Sequence, residues 1–306
     1  MDRIVVIANP IASQFTGGTH RDVMSALART HDVEAVWPAN TAETASEAAR
    51  AAEEGASVVV AMGGDGMVHH VAQGLVGTDS ALGIIPVGTT NVVARLLGIP
   101  GRPSRAIKLI DRAAGALPLG MLRMTLQRGA TSTVHHAAFA AGFGLDAEVV
   151  VEADRDPYRK YRFGSIHYAT TALRIGLGRF PSRKPHLTVT SGSRSAMAVT
   201  TLIQFREVYT YFGRIPLRID RAEPSPLIVM CMDRLRRRHV PHILAGAMGR
   251  RGLGRVPGIE VWKGVTGLEL VADPPVAAQA DGEALGLAEG AMLEWVPDAL
   301  RVIGGR

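Results

Sequence analysis

The stretch VVVAMGGDGMVHHVAQGL, residues 58–75, decides the fold. Three β-branched residues run into positions 63–66, which hold three glycines and one aspartate, and a helical pattern follows at once. A turn needs one glycine or two, so the surplus implies that something approaches this backbone closely. Glycine loops between a strand and a helix commonly bind phosphate, because backbone N–H groups point outward and the helix N-terminus adds partial positive charge. A tight turn with an Asp cap is the alternative reading of a lone GGDG. The loop therefore has to be read with its neighbours.

Working outward, residues 1–116 alternate strand and helix. RIVVIAN, VEAVW, SVVVAM and ALGIIPV read as strands. HRDVMSALART, TAETASEAARAAEEG (closed by Gly55), MVHHVAQGL, TNVVARLLG and SRAIKLIDRAAG read as helices. Apolar strands alternating with helices predict a parallel sheet covered on both faces. Near Leu117 the rhythm changes. TLQRG, HHAAFAAGFGLDAEVV, HLTVTSGSRSAMAVTTLIQF, PLIVMCM and GLELVADPP read as strands, with one helix near GSIHYATTALRIGLGRF. This predicts a second, mainly antiparallel domain over residues 117–291, with the tail 292–306 (MLEWVP and ALRVI) returning to the first.

Composition narrows the function classes. The 306 residues are 47% hydrophobic and 20% charged, which is globular rather than disordered. No apolar run approaches the roughly 18 residues of a membrane-spanning helix. The five-residue apolar run in MDRIVVIANP is too short for a signal-peptide core, so a cytoplasmic enzyme is expected. The single cysteine, Cys231 in LIVMCMD, excludes an internal disulfide and reads as a buried core thiol.

The net charge of +6 is unevenly placed. Arg234, Arg236, Arg237, Arg238, Arg250, Arg251 and Arg255 occur with no acidic residue between Asp233 and Arg255. A second cluster, RDPYRKYRF, holds Arg155, Arg159, Lys160 and Arg162. Such clusters favour polyanions, from anionic lipid to phosphorylated ligands, although ordinary solvated faces carry them too. The first cluster has few aromatic residues for stacking bases, so nucleic acid is not expected.

Familiar phosphate motifs fail. No GxxxxGK[ST] occurs, and after Gly64 and Gly66 the third Rossmann glycine is replaced by His69. A second loop of similar logic follows the next strand, in IIPVGTTNVVARLLGIP, with Gly88, Thr89, Thr90 and Asn91. ANPIAS follows the first strand. In an open parallel sheet ligands sit at the C-terminal strand ends, so three such loops would converge on one crevice. The pairs His69–His70 and His135–His136 do not suggest a metal site, because adjacent side chains diverge and no carboxylate spacing accompanies them. No GxSxG is present for a serine hydrolase.

MGGDGMVHHVAQGL followed by LGIIPVGTTNVVARLLGIP resembles the catalytic domain of diacylglycerol kinases, sphingosine kinases and their bacterial lipid-kinase relatives. ANP at 8–10 is similar to the family's opening Asn-Pro motif, and QADGEAL to its late Asp-Gly-Glu motif. The resemblance implies an α/β nucleotide domain like that of NAD kinases, a C-terminal β-sandwich domain, and a cleft between them for ATP and lipid. It implies an ATP- and Mg²⁺-dependent kinase acting on a hydroxyl of a diacylglycerol- or sphingoid-like lipid. Nucleotide contacts would come from Asn9, Pro10, Gly63, Gly64, Asp65, Gly66, Met67, Gly88, Thr89 and Asn91. Glu283 is the first choice of general base, with Asp65 the rival and Asp281 a further carboxylate. Departures from the family pattern are Met67 for Thr, His70 for Glu, Val92 for Asp, and Ser13 and Gln14 where a Lys is usual. RIDRAEPSPL does not reproduce the second-domain Mg²⁺ loop, so no metal site is carried over.

Expected partners are a lipid substrate and an anionic membrane surface bound peripherally, with a homodimer left open. A NAD-kinase-like enzyme and a lipid- or nucleotide-binding module without catalysis are the alternatives.

Overall fold

The computed structural model describes every residue except 1, 113–114, 157–164, 179, 222–225, 250–251 and 305–306. Arg159, Lys160 and Arg162 of one basic cluster, and Arg250 and Arg251 of the other, lie outside the described residues. The chain forms two compact units: residues 1–121 with 296–306, and residues 122–295.

In the first unit β1 (Arg3–Ala8), β2 (Asp32–Val36), β3 (Val58–Gly63) and β4 (Ala81–Pro86) form a parallel sheet ordered β4–β3–β1–β2. Every residue of β3 and β4 is buried, as continuous apolar runs require when helices cover both faces. The helices are α1 (Gly17–Leu27), α2 (Thr41–Glu53), α3 (Asp65–Leu75), α4 (Val92–Leu96) and α5 (Pro103–Arg112). Two begin on caps that composition alone does not reveal. Thr16 accepts from Thr19 N–H at 3.0 Å, which starts α1 three residues before the predicted His20. Asn40 accepts from Glu43 N–H at 2.9 Å while the Glu43 carboxylate accepts from Ala39 N–H at 2.6 Å, a reciprocal cap at the head of α2.

The second unit holds the long hairpin partners β5 (Leu117–Arg128, which enters from the first unit) and β6 (Thr131–Ala137), then β7 (Ala140–Phe143). Helices α6 (Leu145–Asp154) and α7 (Ser165–Leu177) follow. The strands β8 (Leu187–Ser191), β9 (Arg194–Ala198), β10 (Thr200–Gln204), β11 (Thr210–Phe212), β12 (Ile215–Leu217) and β13 (Leu227–Met232) come next. After α8 (Val240–Met248) the chain ends in β14 (Ile259–Val265), β15 (Gly267–Ala280) and β16 (Glu283–Val302).

The pairing is antiparallel in the order β14–β13–β10–β7–β15–β16. β15 changes partner along its length: residues 269–272 pair with β8, and residues 278–280 with β7. A strand that switches partners folds the antiparallel array over one core, here including Leu122, Phe143, Val189, Val229, Trp262 and Leu293. Cys231 belongs to this core, and burial pushes its thiol up to about 12.

One sequence expectation needs correction. LDAEVV is the first part of helix α6, not strand, because Gly144 at φ 85° turns the chain and puts Asp146 and Glu148 into a helical first turn. Two segments without a sequence-based assignment also form elements: VPHILAGAM is helix α8, and IEVWKGV is a strand. MLEWVP and ALRVI belong to one strand, β16, whose end in the first unit (Arg301, Val302) runs parallel to β4.

Gly74 shows how closely α3 lies on the Ala-rich α2. A Cβ there would run into the Ala45 carbonyl and come within 2.8 Å of Ala48 Cβ and Ala49 N. In a free helix Gly→Ala gains about 1 kcal/mol, whereas forcing atoms into a packed contact costs about 1–3 kcal/mol. The clash against backbone wins. Gly74→Ala is expected to lower stability by roughly 1–2 kcal/mol, read as a lower urea midpoint; a raised midpoint would refute the contact.

Candidate active site

Three loops leave the C-terminal edge of the parallel sheet and interlock. In the first, Asn9 N–H donates to Met62 O at 3.0 Å, and the Asn9 side chain accepts from Ile11 N–H at 3.0 Å, which turns the chain back over the edge. Pro10 is exposed at that turn. Further on, Gln14 N–H donates to Val87 O at 2.9 Å and Gln14 Nε2 to Gly88 O at 3.0 Å. Ser13 Oγ lies 3.0 Å from Thr89 Oγ1. Ser13 and Gln14, departures from the family pattern, thus tie the first loop to the third.

The second and third loops meet through glycine. A Cβ on Gly88 would come within 2.5 Å of Gly64 Cα and 2.8 Å of Asn91 Oδ1. No other residue fits there without moving backbone. Asn91, in the left-handed region at φ 49°, clamps the loop: its Oδ1 accepts from Gly88 N–H at 3.1 Å and its Nδ2 donates to Gly88 O at 2.8 Å. Thr89 remains exposed at the loop tip. Gly63 is closed off differently, because a Cβ would strike the Met67 side chain, which is buried against it.

Asp65 is the first residue of α3, so Gly66 lies inside the helix and the loop proper is short. One Asp65 oxygen accepts from Val93 N–H at 3.1 Å, which joins the start of α3 to the start of α4, where Val92 is buried. Gly64, the N-cap of α3, offers no side-chain cap. His69 is buried, and its ring meets that of His70 edge-on with centroids 5.2 Å apart.

The Asp-Gly-Glu motif lies in the second unit. Asp281 at φ 54° and Gly282 at φ 82° form the two-residue turn between β15 and β16, the left-handed pair such hairpins need. The Asp281 carboxylate is 4% exposed and accepts from Ala138, Phe139 and Ala140 N–H groups at 2.7, 2.9 and 3.2 Å. These three donors make it an anchor for the chain between β6 and β7. Glu283, the other carboxylate of this motif, is half-buried at the start of β16.

Behind the hairpin sits a polar network that the sequence reading missed. Gln279 Oε1 accepts from Gly282 N–H at 2.9 Å, and Gln279 Nε2 donates to Asp146 Oδ2 at 2.6 Å. Tyr209 O–H also donates to Asp146 Oδ2 at 2.6 Å. Burial pushes the Asp146 carboxyl above its usual 3.8, with both hydrogen bonds opposing, and holds the Tyr209 hydroxyl well above its usual range. The available signal was Gln279 alone in the apolar run VAAQA, since a polar side chain in a buried strand needs built partners. Nearby, Arg206 Nε donates to Ala138 O at 3.0 Å, and the guanidinium lies 5.7 Å from the Trp295 ring centre.

A cavity of about 770 Å³ opens in the second unit beside α6 and α7, walled by Val151, Ile175, Pro274, Val276 and Leu287. The Arg183–Glu148 ion pair stands on its polar side. Among the described residues no three or more His, Cys, Asp or Glu side chains gather as a metal site. Mg²⁺ commonly takes one or two carboxylates together with substrate phosphates, and Asp65, set among the loops, is the carboxylate that would hold it. No helix among the described residues is long and apolar enough to cross a membrane.

The Asp146 network predicts a pH signature. A carboxyl whose folded pKa is raised stabilises most at pH below its unfolded value near 3.8, and that contribution is lost as pH rises through the folded value. Asp146→Asn removes the ionisation but keeps an acceptor oxygen. The Tm difference, variant minus parent, should grow as pH rises from 4 toward 8 in parallel thermal melts. A difference independent of pH would mean that the carboxyl is not destabilised by burial.

Known proteins resemble this chain in sequence and in fold. Residues 3–122 match the diacylglycerol kinase catalytic domain family. The protein named Probable lipid kinase YegS-like from Xanthomonas campestris pv. campestris is 34% identical over 163 residues, 51% of this chain and 50% of that protein. Its counterpart in Pseudomonas putida is 40% identical over 91 residues, 29% of this chain and 30% of the relative. The chain thus aligns with half or less of these relatives' lengths. Among solved structures, a diacylglycerol kinase from Bacillus anthracis str. Sterne superposes with TM-score 0.70 at 16% identity, covering 99% of this chain and 97% of that one. A second chain from that organism gives TM-score 0.76 at 20% identity, covering 99% and 98%. Yeast NADH kinase gives TM-score 0.56 at 10% identity, covering 100% and 84%. The structures establish a shared fold, and in sequence residues 3–122 are similar to the diacylglycerol kinase catalytic domain, with YegS-like lipid kinases among the similar proteins.

Proposed function

We propose that the protein is an ATP-dependent lipid kinase, transferring the γ-phosphoryl group to a hydroxyl of a diacylglycerol- or sphingoid-like lipid. The observation that carries this is the interlocked pair of glycine loops, with the uncapped start of α3, inside the segment that matches the kinase domain. Backbone N–H groups at that helix start and the partial positive charge of the helix suit phosphate oxygens. The cavity of the second unit, with mostly apolar walls, suits a lipid. Glu283 would accept the hydroxyl proton as the lipid oxygen bonds to the γ-phosphorus and the bond to the β-phosphate breaks, releasing ADP. Bound Mg²⁺ would neutralise phosphate charge, with Asp65 as its protein ligand.

The same reading places the protein in the cytoplasm, at the surface of an anionic membrane. Arg236, Arg237 and Arg238 are exposed and lead into α8, where Gly246 is the one buried residue and Leu244 and Met248 are 49% and 45% exposed. Each arginine near an anionic surface contributes about 1 kcal/mol, screened by salt. Sedimentation with phosphatidylserine-containing vesicles should fall with salt and fall further when the three arginines become Ala. Equal binding to neutral vesicles would refute this.

Incubation of the pure protein with MgATP and lipid vesicles, scoring phosphorylated products, tests the activity. Glu283→Gln should lower kcat about 10²-fold or more with ATP binding retained. Full activity in that variant would move the base role to Asp65. Phosphorylation of NAD in place of every lipid would favour the NAD-kinase-like alternative, and ATP binding without turnover a binding module.

A further inference from the structure

One feature of the same sheet edge is untouched by the kinase motifs. Trp37 follows β2 directly, and since Val36 pairs with Ile7, it stands level with the ends of β1 and β3, where the loops begin. Its side chain is 47% exposed although it heads an aromatic cluster. Phe15, from the first loop, meets Trp37 edge-on at 5.8 Å with planes at 85°, and His20 from α1 lies 4.5 Å away. Burial holds the His20 imidazole below its usual value, so the cluster is uncharged at neutral pH.

A tryptophan fixed from two sides, with about half its surface open, is held in one place without being filled by protein. Phe15 lies one residue beyond Gln14, which is bonded to Gly88, so the aromatic cluster and the glycine loops share one loop. From β3 to β2 is two strand spacings, about 10 Å, comparable to the reach of a nucleotide from its base to its outer phosphates.

We propose that Trp37, braced by Phe15 and His20, is the stacking platform for the nucleobase of the bound nucleotide. This rests on the reading of the glycine loops as the phosphate site and names the residue that would separate a nucleotide from a bare polyphosphate. Stacking accepts any base because each has a π-face, so the platform supplies affinity more than choice among bases.

Calorimetry with two probes, ATP and inorganic tripolyphosphate, tests it on the full chain. The parent should bind both. Trp37→Ala should bind ATP about 10-fold more weakly, as loss of a stacking contact typically gives, while tripolyphosphate affinity stays within about 2-fold. Trp37→Phe, which keeps a π-face, should recover most of the ATP affinity. ATP should also quench tryptophan fluorescence in the parent and much less in Trp37→Phe. Equal ATP affinity in parent and Trp37→Ala would overturn the proposal. Parallel loss of both ligands would also overturn it, by making Trp37 a brace for the loop. A parent that binds neither ligand would overturn the phosphate reading itself and the platform with it.

Discussion

The contact between Gly64 and Gly88 is the constraint on which the rest of the first unit's loop edge depends. Two chains leaving adjacent strands can approach this closely when neither carries a Cβ at the crossing. Everything around the crossing holds it shut. Asn91 bonds both polar groups of Gly88, Gln14 adds a second donor to the Gly88 carbonyl, and Asp65 reaches across to Val93. Gly64 and Gly88 thus first let backbone meet backbone. The proposed phosphate site lies beside that packing, at a start of α3 that has no side-chain cap.

The second unit uses the opposite device for the same end. There a carboxylate does the fastening: Asp281 draws three backbone N–H groups onto itself, and the turn it occupies has left-handed dihedrals at both positions. Three donors to one ionised group cost little to assemble once the hairpin is formed, and the group would be expensive to bury without them. Asp146, Tyr209 and Gln279 extend the fastening to the head of α6. Glu283, next to this rigid turn, gains a fixed starting point for its side chain, which a proton acceptor needs.

The departures from the family pattern acquire physical meaning in this frame. Met67 fills the space beside Gly63, Gln14 and Ser13 bond the third loop, and Val92 packs at the first turn of α4. Each replaces a polar or charged family residue with one that adds packing or neutral hydrogen bonding. The loop edge therefore carries less charge than the family pattern provides, which places more of the proposed phosphate binding on backbone dipoles.

What the sequence determined by itself is the local half of the structure. Four apolar runs separated by helical periods specify the parallel sheet, and the strand-to-helix switch at 62–65 marks where a ligand can be approached, because side-chain periodicity is a property of neighbouring residues. The motifs in MGGDGM and VGTTN were legible for the same reason. Partnerships across long separations were left to the tertiary structure. Asp281 meets Ala138 across 143 residues, and Asp146 meets Gln279 across 133. Neither pairing leaves a periodic trace, so one aspartate of a candidate catalytic motif proved to be an anchor and another, in a segment read as strand, the centre of a buried network. What the glycines admit was likewise decided by folding, since the effect of a missing Cβ depends on which backbone lies opposite.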